Sequence, residues 1–213
     1  MQDRKDIIDC YDKTAEKYAD KFKNELDWKH FDQIILKAFA QTNRTKGQLI
    51  DLGCGPGQTT KFLYDNGVIN VLGTDISPEM VKVANKQYPS IKFVVADMLN
   101  LNFPEKSFGS AVAFYAIVHF NYEQIKTAFQ EISKILIQGG EFLFSFHIGD
   151  YTVHMDSFFD EKVNIDFYAL QTEKIKELLE QTGFEIIDLI EREPYKDKEY
   201  ESKRAYIWAK TCH

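Results

Sequence analysis

Short apolar runs alternate along most of the chain with segments in which apolar residues recur every three or four positions. The first pattern is typical of buried strands and the second of amphipathic helices, so their alternation predicts a parallel sheet covered on both faces. The runs that we interpret as strands are 49–52, 71–74, 91–96, 111–114, 142–146, 184–190 and 205–210. The expected fold class is therefore α/β, and the last two runs predict a pair of strands joined by a polar turn.

Residues that favour helix ends support this interpretation. Ser77-Pro78 predicts an N-cap followed by proline in the first turn of a helix that extends toward Gln87. Asn121 can cap a helix that we expect Gly139-Gly140 to end. Its apolar residues on one face would be Ile125, Phe129, Ile132 and Leu136.

Two segments lie outside this alternation, and both are candidates for a lid. The first is a helical cap over residues 1–45, where Tyr11, Ala15, Tyr18 and Phe22 recur at helical spacing. The second is an insertion over residues 148–171, which is rich in aromatic residues. We expect both to belong to one domain that spans residues 1–213.

The composition narrows the class of protein. A chain of 213 residues with 44% hydrophobic content can bury the core of one soluble domain. A net charge of −7 argues against nucleic acid as the main partner, because phosphate binding needs clustered Lys and Arg. We see no signal peptide and no apolar stretch that could cross a bilayer, so we expect a cytoplasmic protein with no membrane partner.

The segment 49–57, Leu-Ile-Asp-Leu-Gly-Cys-Gly-Pro-Gly, carries the most specific signal. Gly53, Gly55 and Gly57 remove every β-carbon from one side of a loop, so that a ligand can approach the backbone. An ordinary tight strand-to-helix turn would explain one or two glycines, and Cys54 could be a nucleophile or simply a small residue beside a ligand.

Three carboxylates follow three predicted strands: Asp51, Asp75 and Asp97. Ligands of open α/β sheets bind outside the carboxyl ends of the strands, where these groups would project together. Asp75 lies close to the spacing from the glycines at which a carboxylate binds ribose hydroxyls. A single aspartate of this kind is more often a cap or turn residue, and the recurrence favours a binding site.

With these motifs the chain resembles the class I S-adenosylmethionine-dependent methyltransferases, whose first motif matches residues 51–57. The resemblance implies a Rossmann-like, seven-stranded, mostly parallel sheet with an antiparallel C-terminal hairpin at its edge. It implies S-adenosylmethionine as cofactor and S-adenosylhomocysteine as product. The residues expected to bind this cofactor are Tyr11, Tyr18, Asp51, Gly53, Cys54, Gly55, Gly57, Asp75, Ile76, Asp97, Met98 and Phe114. The glycine spacing differs from the nicotinamide fingerprint G-x-G-x-x-G, which makes a dehydrogenase the minority interpretation.

The segment 114–119, Phe-Tyr-Ala-Ile-Val-His, lacks the signatures of enzymes that methylate nucleic-acid bases, and we expect a small organic acceptor. The candidate catalytic residues are Tyr115, His119 and His147. His119 could act as a general base or only cap the next helix. Methyl transfer without catalysis by a proton-transfer group, through alignment of donor and acceptor in a dry site, is also compatible with this sequence.

Other polar positions carry weaker signals. His147, His154 and Asp156 match no strong metal-binding spacing, so we expect no metal. Tyr195 and Arg204 could reach a pocket, but the charged surroundings of 196–201 favour a solvated face. A non-catalytic protein that binds the cofactor for regulation remains an alternative, and the sequence does not reveal the oligomeric state or the identity of the acceptor.

Overall fold

A seven-stranded sheet forms the centre of the computed structural model, which describes residues 3–212. The strands of the chain are β1 (Leu49–Leu52), β2 (Val71–Asp75), β3 (Lys92–Val95), β4 (Phe108–Phe114), β5 (Leu136–His147), β6 (Tyr151–Phe158), β7 (Glu161–Ala169), β8 (Phe184–Arg192) and β9 (Arg204–Thr211). The order across the main sheet is β3-β2-β1-β4-β5-β9-β8, while β6 and β7 pair separately. Strands β1 to β5 pair in parallel, and β9 runs antiparallel between β5 and β8. The predicted fold class is confirmed.

Six α-helices and one short 3₁₀ helix connect and cover these strands in the described chain. They are α1 (Arg4–Phe22), the 3₁₀ helix (Glu25–Asp27), α2 (His30–Asn43), α3 (Gln58–Asp65), α4 (Pro78–Gln87), α5 (Tyr122–Ile135) and α6 (Thr172–Gln181). The Ser77 side chain accepts a hydrogen bond from the Met80 N–H, and Asn121 forms a capping box with Gln124. Both predicted helix starts are confirmed. None of the helices among residues 3–212 has the length and apolarity needed to span a bilayer.

The core lies on both faces of the sheet. One face packs against α5 and α6 through residues such as Phe129 and Leu179, and the other packs against α2 and α3 through Phe39 and Leu63. Strands β1 and β4 are buried almost throughout because they occupy the middle of the sheet. This burial fixes the carboxyl ends of the central strands relative to one another.

The predicted end of α5 was wrong. We expected the helix to include Leu136 and to end at Gly139-Gly140, but it ends at Ile135 and Leu136 is already extended, with φ −80° and ψ 144°. Leu136 pairs with Phe108, and β5 is therefore twelve residues long instead of the expected five. The run of apolar residues continues from helix into strand without a polar break, so the pattern alone did not show the boundary.

The insertion after β5 forms a β-hairpin, which the sequence analysis did not predict. β6 and β7 pair in antiparallel fashion from Tyr151 opposite Ala169 to Phe158 opposite Glu161. Phe159 and Asp160 make the turn, both with positive φ. Apolar residues of this segment, such as Val153, Met155, Val163 and Ile165, alternate with polar ones, which is the period of a strand.

Gly109 occupies a position near the start of β4 where no side chain fits. A β-carbon built there would lie 2.0 Å from the carbonyl oxygen of Lys46, which is backbone and cannot move aside easily. The Gly109 N–H also donates to the Gln48 carbonyl. The glycine therefore lets the segment before β1 approach β4 closely.

Replacing Gly109 with Ala should lower the free energy of unfolding by about 1–3 kcal/mol, because the added methyl group overlaps the Lys46 carbonyl. Chemical denaturation measures this change. Gly139→Ala is the matched control: its β-carbon meets nothing within 4 Å, and only its φ of +67° is unfavourable. A loss at Gly109 no larger than the loss at Gly139 would contradict the steric explanation.

Candidate active site

A cavity of about 780 Å³ opens at the carboxyl edge of the sheet. The ends of β1, β2, β4 and β5 form its floor, and α1, the β6–β7 hairpin and the loop between β8 and β9 contribute to its walls. All the candidate site residues of the sequence analysis line it except Gly57. Gly55, two residues before Gly57, and Asp75, at the end of β2, both lie on the cavity wall.

The glycine loop after β1 presents bare backbone to the cavity. Gly55 has a φ of +53°, and a β-carbon there would meet no atom within 4 Å, so the space above it is open. Gly53 serves a different purpose, since its β-carbon would lie 2.6 Å from that of Ala116. Gly55 thus marks the place where a ligand can lie against the main chain.

Gly57 does not line the cavity. It is the N-cap residue of α3, with a φ of +90°, and a β-carbon there would lie 2.8 Å from the Phe93 ring. The cofactor-binding role that we expected for Gly57 therefore lacks geometric support. Its conformation instead allows α3 to start against β3.

Asp75 lies at the end of β2 and faces the glycine loop. Its two carboxylate oxygens accept hydrogen bonds from the N–H groups of Gly55, at 2.8 Å, and Ser77, at 2.9 Å. Burial raises the pKa of Asp75, and these N–H groups oppose the rise. Each oxygen keeps a lone pair, so the carboxylate can still accept from a ligand hydroxyl.

Asp51 lies deeper, at the end of β1. It accepts a hydrogen bond of 2.6 Å from the Thr60 hydroxyl. Burial, reinforced by the nearby charge of Asp75, raises the pKa of Asp51 to about 7, although the Thr60 bond opposes this. Two acidic groups with few compensating cations make this end of the cavity suited to a positively charged ligand.

Asp97 forms the third acidic position, in the loop after β3. It accepts a hydrogen bond from the Leu99 N–H and forms an ion pair with Arg4 of α1. The ion pair joins the N-terminal helix to the edge of the cavity, which the sequence analysis did not anticipate. Ile76 and Met98, each directly after an acid, complete the apolar lining there.

Helix α1 and the β6–β7 hairpin meet above the cavity, and we call the two together the roof. Lys17 donates to the Phe159 carbonyl and forms a 2.8 Å ion pair with Glu161. The rings of Tyr18 and Phe158 lie 6.4 Å apart in a cluster that also includes Tyr11 and Phe22. Both predicted tyrosines thus face the cavity and also hold the two parts of the roof together.

His119 connects three elements. Its Nδ1 lies 2.8 Å from the Asp166 carbonyl, which can only accept, so Nδ1 carries the proton and Nε2 accepts from the Tyr11 hydroxyl at 2.7 Å. Burial lowers the pKa of His119 to about 4. The helix-cap alternative was wrong, since Asn121 caps α5. A base role would require Tyr11 to leave Nε2.

Tyr115 follows β4 in the left-handed region, with a φ of +53°. Its N–H donates to the hydroxyl and carbonyl oxygens of Ser145, both at 3.1 Å, and its own hydroxyl lies 2.9 Å from that of Tyr206. Such a conformation is costly for a bulky residue and is often retained at functional sites. The surrounding bonds hold the Tyr115 ring in the cavity wall.

His147 ends β5 beside Tyr115, with 5.3 Å between the ring centres. Its Nδ1 lies 2.7 Å from the Ser202 hydroxyl, whereas its Nε2 has no hydrogen-bond partner within residues 3–212. Burial, followed by the charges of Arg204 and Lys29, lowers the pKa of His147 to about 4. The imidazole is therefore neutral near pH 7 and keeps one nitrogen available to a ligand.

Arg204 does not lie on the solvated face that we expected, although Lys196, Asp197, Lys198, Tyr200 and Glu201 are exposed. The side chains of Glu199 and Arg204 are only 2% and 3% exposed. Glu199 accepts two hydrogen bonds from Arg192, at 2.7 and 2.9 Å, and one from the Tyr195 N–H. Strand register explains the error, because β9 places Arg204 opposite His147 at the carboxyl edge, and the sequence does not reveal that pairing.

Residues 25–32 also contribute to the cavity, which was not expected from the sequence. Asp32 is 1% exposed and accepts from the Tyr206 hydroxyl at 2.5 Å, and Lys29 lies over the Tyr115 ring at 4.9 Å. Trp28 lines the cavity next to them. A lysine and a tryptophan within the predicted helical cap over residues 1–45 gave no signal that pointed to a site.

Cys54, a candidate nucleophile, and His154, considered as a metal ligand, lie in surroundings that favour neither role. Burial raises the pKa of the Cys54 thiol well above its usual range, which disfavours a nucleophilic thiolate. His154 lies between Asp156, at 3.0 Å, and Asp166, at 2.8 Å, on the exposed side of the hairpin. Across residues 3–212, no group of three or more acidic, histidine or cysteine side chains has an arrangement suited to a metal ion.

Comparison with known proteins supports the expected resemblance. Residues 50–144 match the model of a methyltransferase domain. This match and the similar methyltransferases support a class I S-adenosylmethionine-dependent methyltransferase. This domain includes the glycine loop and the three acids but neither the roof nor the β8–β9 loop.

Two relatives are similar in sequence. The O-methyltransferase cnsE of Penicillium expansum is 24% identical over 205 residues, covering 86% of this chain and 74% of the relative. The probable tRNA methyltransferase 9B of Bos taurus is 27% identical over 142 residues, covering 66% of this chain. This chain spans only 29% of the length of that bovine protein.

A solved structure shares the fold over nearly its whole length. The magnesium protoporphyrin IX methyltransferase of Synechocystis PCC 6803, solved with bound S-adenosylmethionine, has a TM-score of 0.73 and 16% identity. The match covers 99% of this methyltransferase chain and 98% of the other. At 16% identity this likeness shows the fold alone. The cofactor of the methyltransferases that the chain resembles is S-adenosylmethionine, as expected from the sequence.

Glu199→Gln should lower the free energy of unfolding by about 3–5 kcal/mol, because two buried arginines lose the carboxylate that neutralises them. Urea denaturation near pH 7 measures the loss. Glu193→Gln in the same loop is the control: Glu193 is 71% exposed in its pair with Lys203, and the change should stay within about 0.5 kcal/mol. Equal effects of the two substitutions would show that Glu199 does not anchor the loop.

Proposed function

We propose that this protein transfers the methyl group of S-adenosylmethionine to a small organic acceptor by direct in-line displacement. The observation that carries the proposal is the open backbone of Gly55 beside the Asp75 carboxylate, in the same cavity as Tyr115 and His147. Donor and acceptor groups can therefore meet in one enclosed space.

The donor fits the acidic end of the cavity. Asp75 would accept hydrogen bonds from the ribose hydroxyls, Asp97 would face the adenine, and Asp51 would attract the ammonium group. The bound donor supplies a sulfonium, whose methyl group is activated for displacement. The aromatic rings of Tyr11 and Tyr18 can stabilise that cation, by about 0.5–2 kcal/mol for each well-placed ring.

The residues opposite the donor define the acceptor site. Tyr115 and His147 lie at the ends of β4 and β5; β4 is next to β1, which carries the glycine loop, and β5 is next to β4. His147 offers a neutral imidazole whose Nε2 can form a hydrogen bond with an acceptor hydroxyl or amine. A closed roof would exclude water from this space, which favours alignment of donor and acceptor for methyl transfer.

A small acceptor is favoured over RNA by the roof and by charge. The α1 helix and the hairpin cover the cavity through the aromatic cluster and the Lys17 contacts, which leaves little room for a polynucleotide. The net charge of −7 also opposes binding of a phosphate backbone. We propose that the roof acts as a lid within a single domain, with exchange of ligands through its opening.

Asp75→Ala should weaken binding of S-adenosylhomocysteine by about 1.5–3 kcal/mol, or roughly ten- to 150-fold in Kd, because the ribose loses a charged hydrogen-bond acceptor. Calorimetric titration measures the affinity. Asp20→Ala removes a carboxylate that is 83% exposed on α1 and should leave the Kd unchanged. An Asp75→Ala protein that binds as tightly as wild type would refute this role for Asp75.

A screen with methyl-labelled S-adenosylmethionine should detect transfer to at least one small acceptor among phenols, carboxylates, amines and thiols, with no transfer to bulk tRNA. Binding of the cofactor without transfer to any acceptor would favour a regulatory binding protein instead. Label in tRNA alone would contradict the small-molecule proposal. Tighter binding of NAD than of S-adenosylmethionine in thermal-shift measurements would favour an oxidoreductase.

A further inference from the structure

The acceptor end of the cavity has an aromatic lining. Tyr115 and His147 stand side by side with their rings tilted by 35°, and the Tyr200 ring lies 6.1 Å from that of His147. Trp28 lines the same end, with Lys29 Nζ 5.6 Å from its ring centre. Flat apolar surfaces on several sides suit a planar aromatic molecule.

Cations surround this lining. Lys29 Nζ lies 4.9 Å from the centre of the Tyr115 ring, and its side chain is 12% exposed. Among residues 3–212 its one hydrogen-bond partner is Glu25, so two of its three N–H groups are free to meet a ligand. Arg204 approaches from the other side and donates to the carbonyls of Ser202 and Tyr200.

Three carboxylates stand against the three cations Lys29, Arg192 and Arg204. Glu25 pairs with Lys29, Glu199 lies between Arg192 and Arg204, and Asp32 bonds to Tyr206 behind the Tyr115 ring. At the imidazole of His147, however, the charges of Arg204, Lys29 and Arg192 oppose that of Glu199 alone. The field at the open nitrogen of His147 therefore favours a negative charge.

We propose that the acceptor is a phenol, bound as its phenolate with the oxygen between Lys29 and Nε2 of His147. The inference rests on the proposed function and names the nucleophile. The phenol gives up its proton to water, an oxygen lone pair forms the new O–CH₃ bond, and the C–S bond breaks with its electron pair returning to sulfur. The products are an aryl methyl ether and a neutral thioether.

The cations and His147 have complementary roles in this arrangement. The cations stabilise the oxyanion, and the same charges keep His147 neutral; with Nδ1 accepting from the Ser202 hydroxyl, its Nε2–H can donate to the oxyanion. An amine acceptor would gain nothing from them, because it becomes positive as the methyl group arrives. The charge distribution therefore separates oxygen acids from amines among the possible acceptors.

The test uses 4-nitrophenol, whose phenolate absorbs visible light, with protein saturated with S-adenosylhomocysteine. We expect the pKa of the bound nitrophenol to lie at least about one unit below that of the free compound, which corresponds to at least tenfold tighter binding of the phenolate than of the phenol. Lys29→Gln should remove most of this shift, and Lys29→Arg should retain it. Lys37→Gln, an exposed lysine on α2, is the matched control and should change nothing.

The outcomes separate this inference from the proposed function. Protein that binds S-adenosylhomocysteine but does not bind nitrophenol, or binds it with an unchanged or raised pKa, overturns the inference. An unchanged shift in Lys29→Gln, with S-adenosylhomocysteine affinity preserved as a folding control, overturns the role of Lys29. Phenolate binding without methyl transfer to any acceptor in the labelled screen supports the anion site and contradicts the proposed function, whereas transfer to amines or thiols but to no phenol overturns the inference.

Discussion

The buried carboxylates of Asp51 and Asp75 are the constraint on which the site depends. Removing two like charges from water at adjacent strand ends is unfavourable, and only a few protein groups compensate them, chiefly the N–H groups of Gly55 and Ser77 and the Thr60 hydroxyl. Burial of these carboxylates destabilises the folded protein, and binding of a cation with hydroxyl groups offsets this cost. The glycine loop supplies the space that such a ligand needs.

The end of the cavity near Tyr115 and His147 contains cations, in contrast to the acidic end near Gly55. Lys29, Arg192 and Arg204 gather near Tyr115 and His147, while the acids gather near Gly55. A positive donor and an electron-rich acceptor would each find the end that suits its charge. In the proposed reaction methyl transfer neutralises both charges, which would weaken the binding of the products and assist their release.

The sequence predicted the parallel core and the acidic end because both depend on local signals. Asp51, Gly55 and Asp75 lie within or next to apolar runs that are strands in the structure, and parallel strands bring their ends together whatever the details. Lys29 and Arg204 could not be found in this way. Lys29 reaches the cavity because the segment before α2 packs against it. Arg204 reaches it through the antiparallel register between β5 and β9. The end of α5 at Ile135 was missed because apolar residues continue from the helix into the next strand. The β6–β7 hairpin was missed because the apolar residues of that segment were interpreted as the lining of a lid.

The roof contacts the donor end directly, so that closure and donor binding must influence each other. Asp12 of α1 accepts hydrogen bonds from the Ser77 hydroxyl and the Glu79 N–H, in the first turn of α4 just beyond Asp75. The same helix contacts His119 through Tyr11, and His119 in turn holds the hairpin through the Asp166 carbonyl. Movement of α1 away from the sheet would break these bonds together. If the roof opens as we propose, a ligand that orders the turn around Asp75 would favour the closed roof, and the closed roof would favour the ligand by the same free energy.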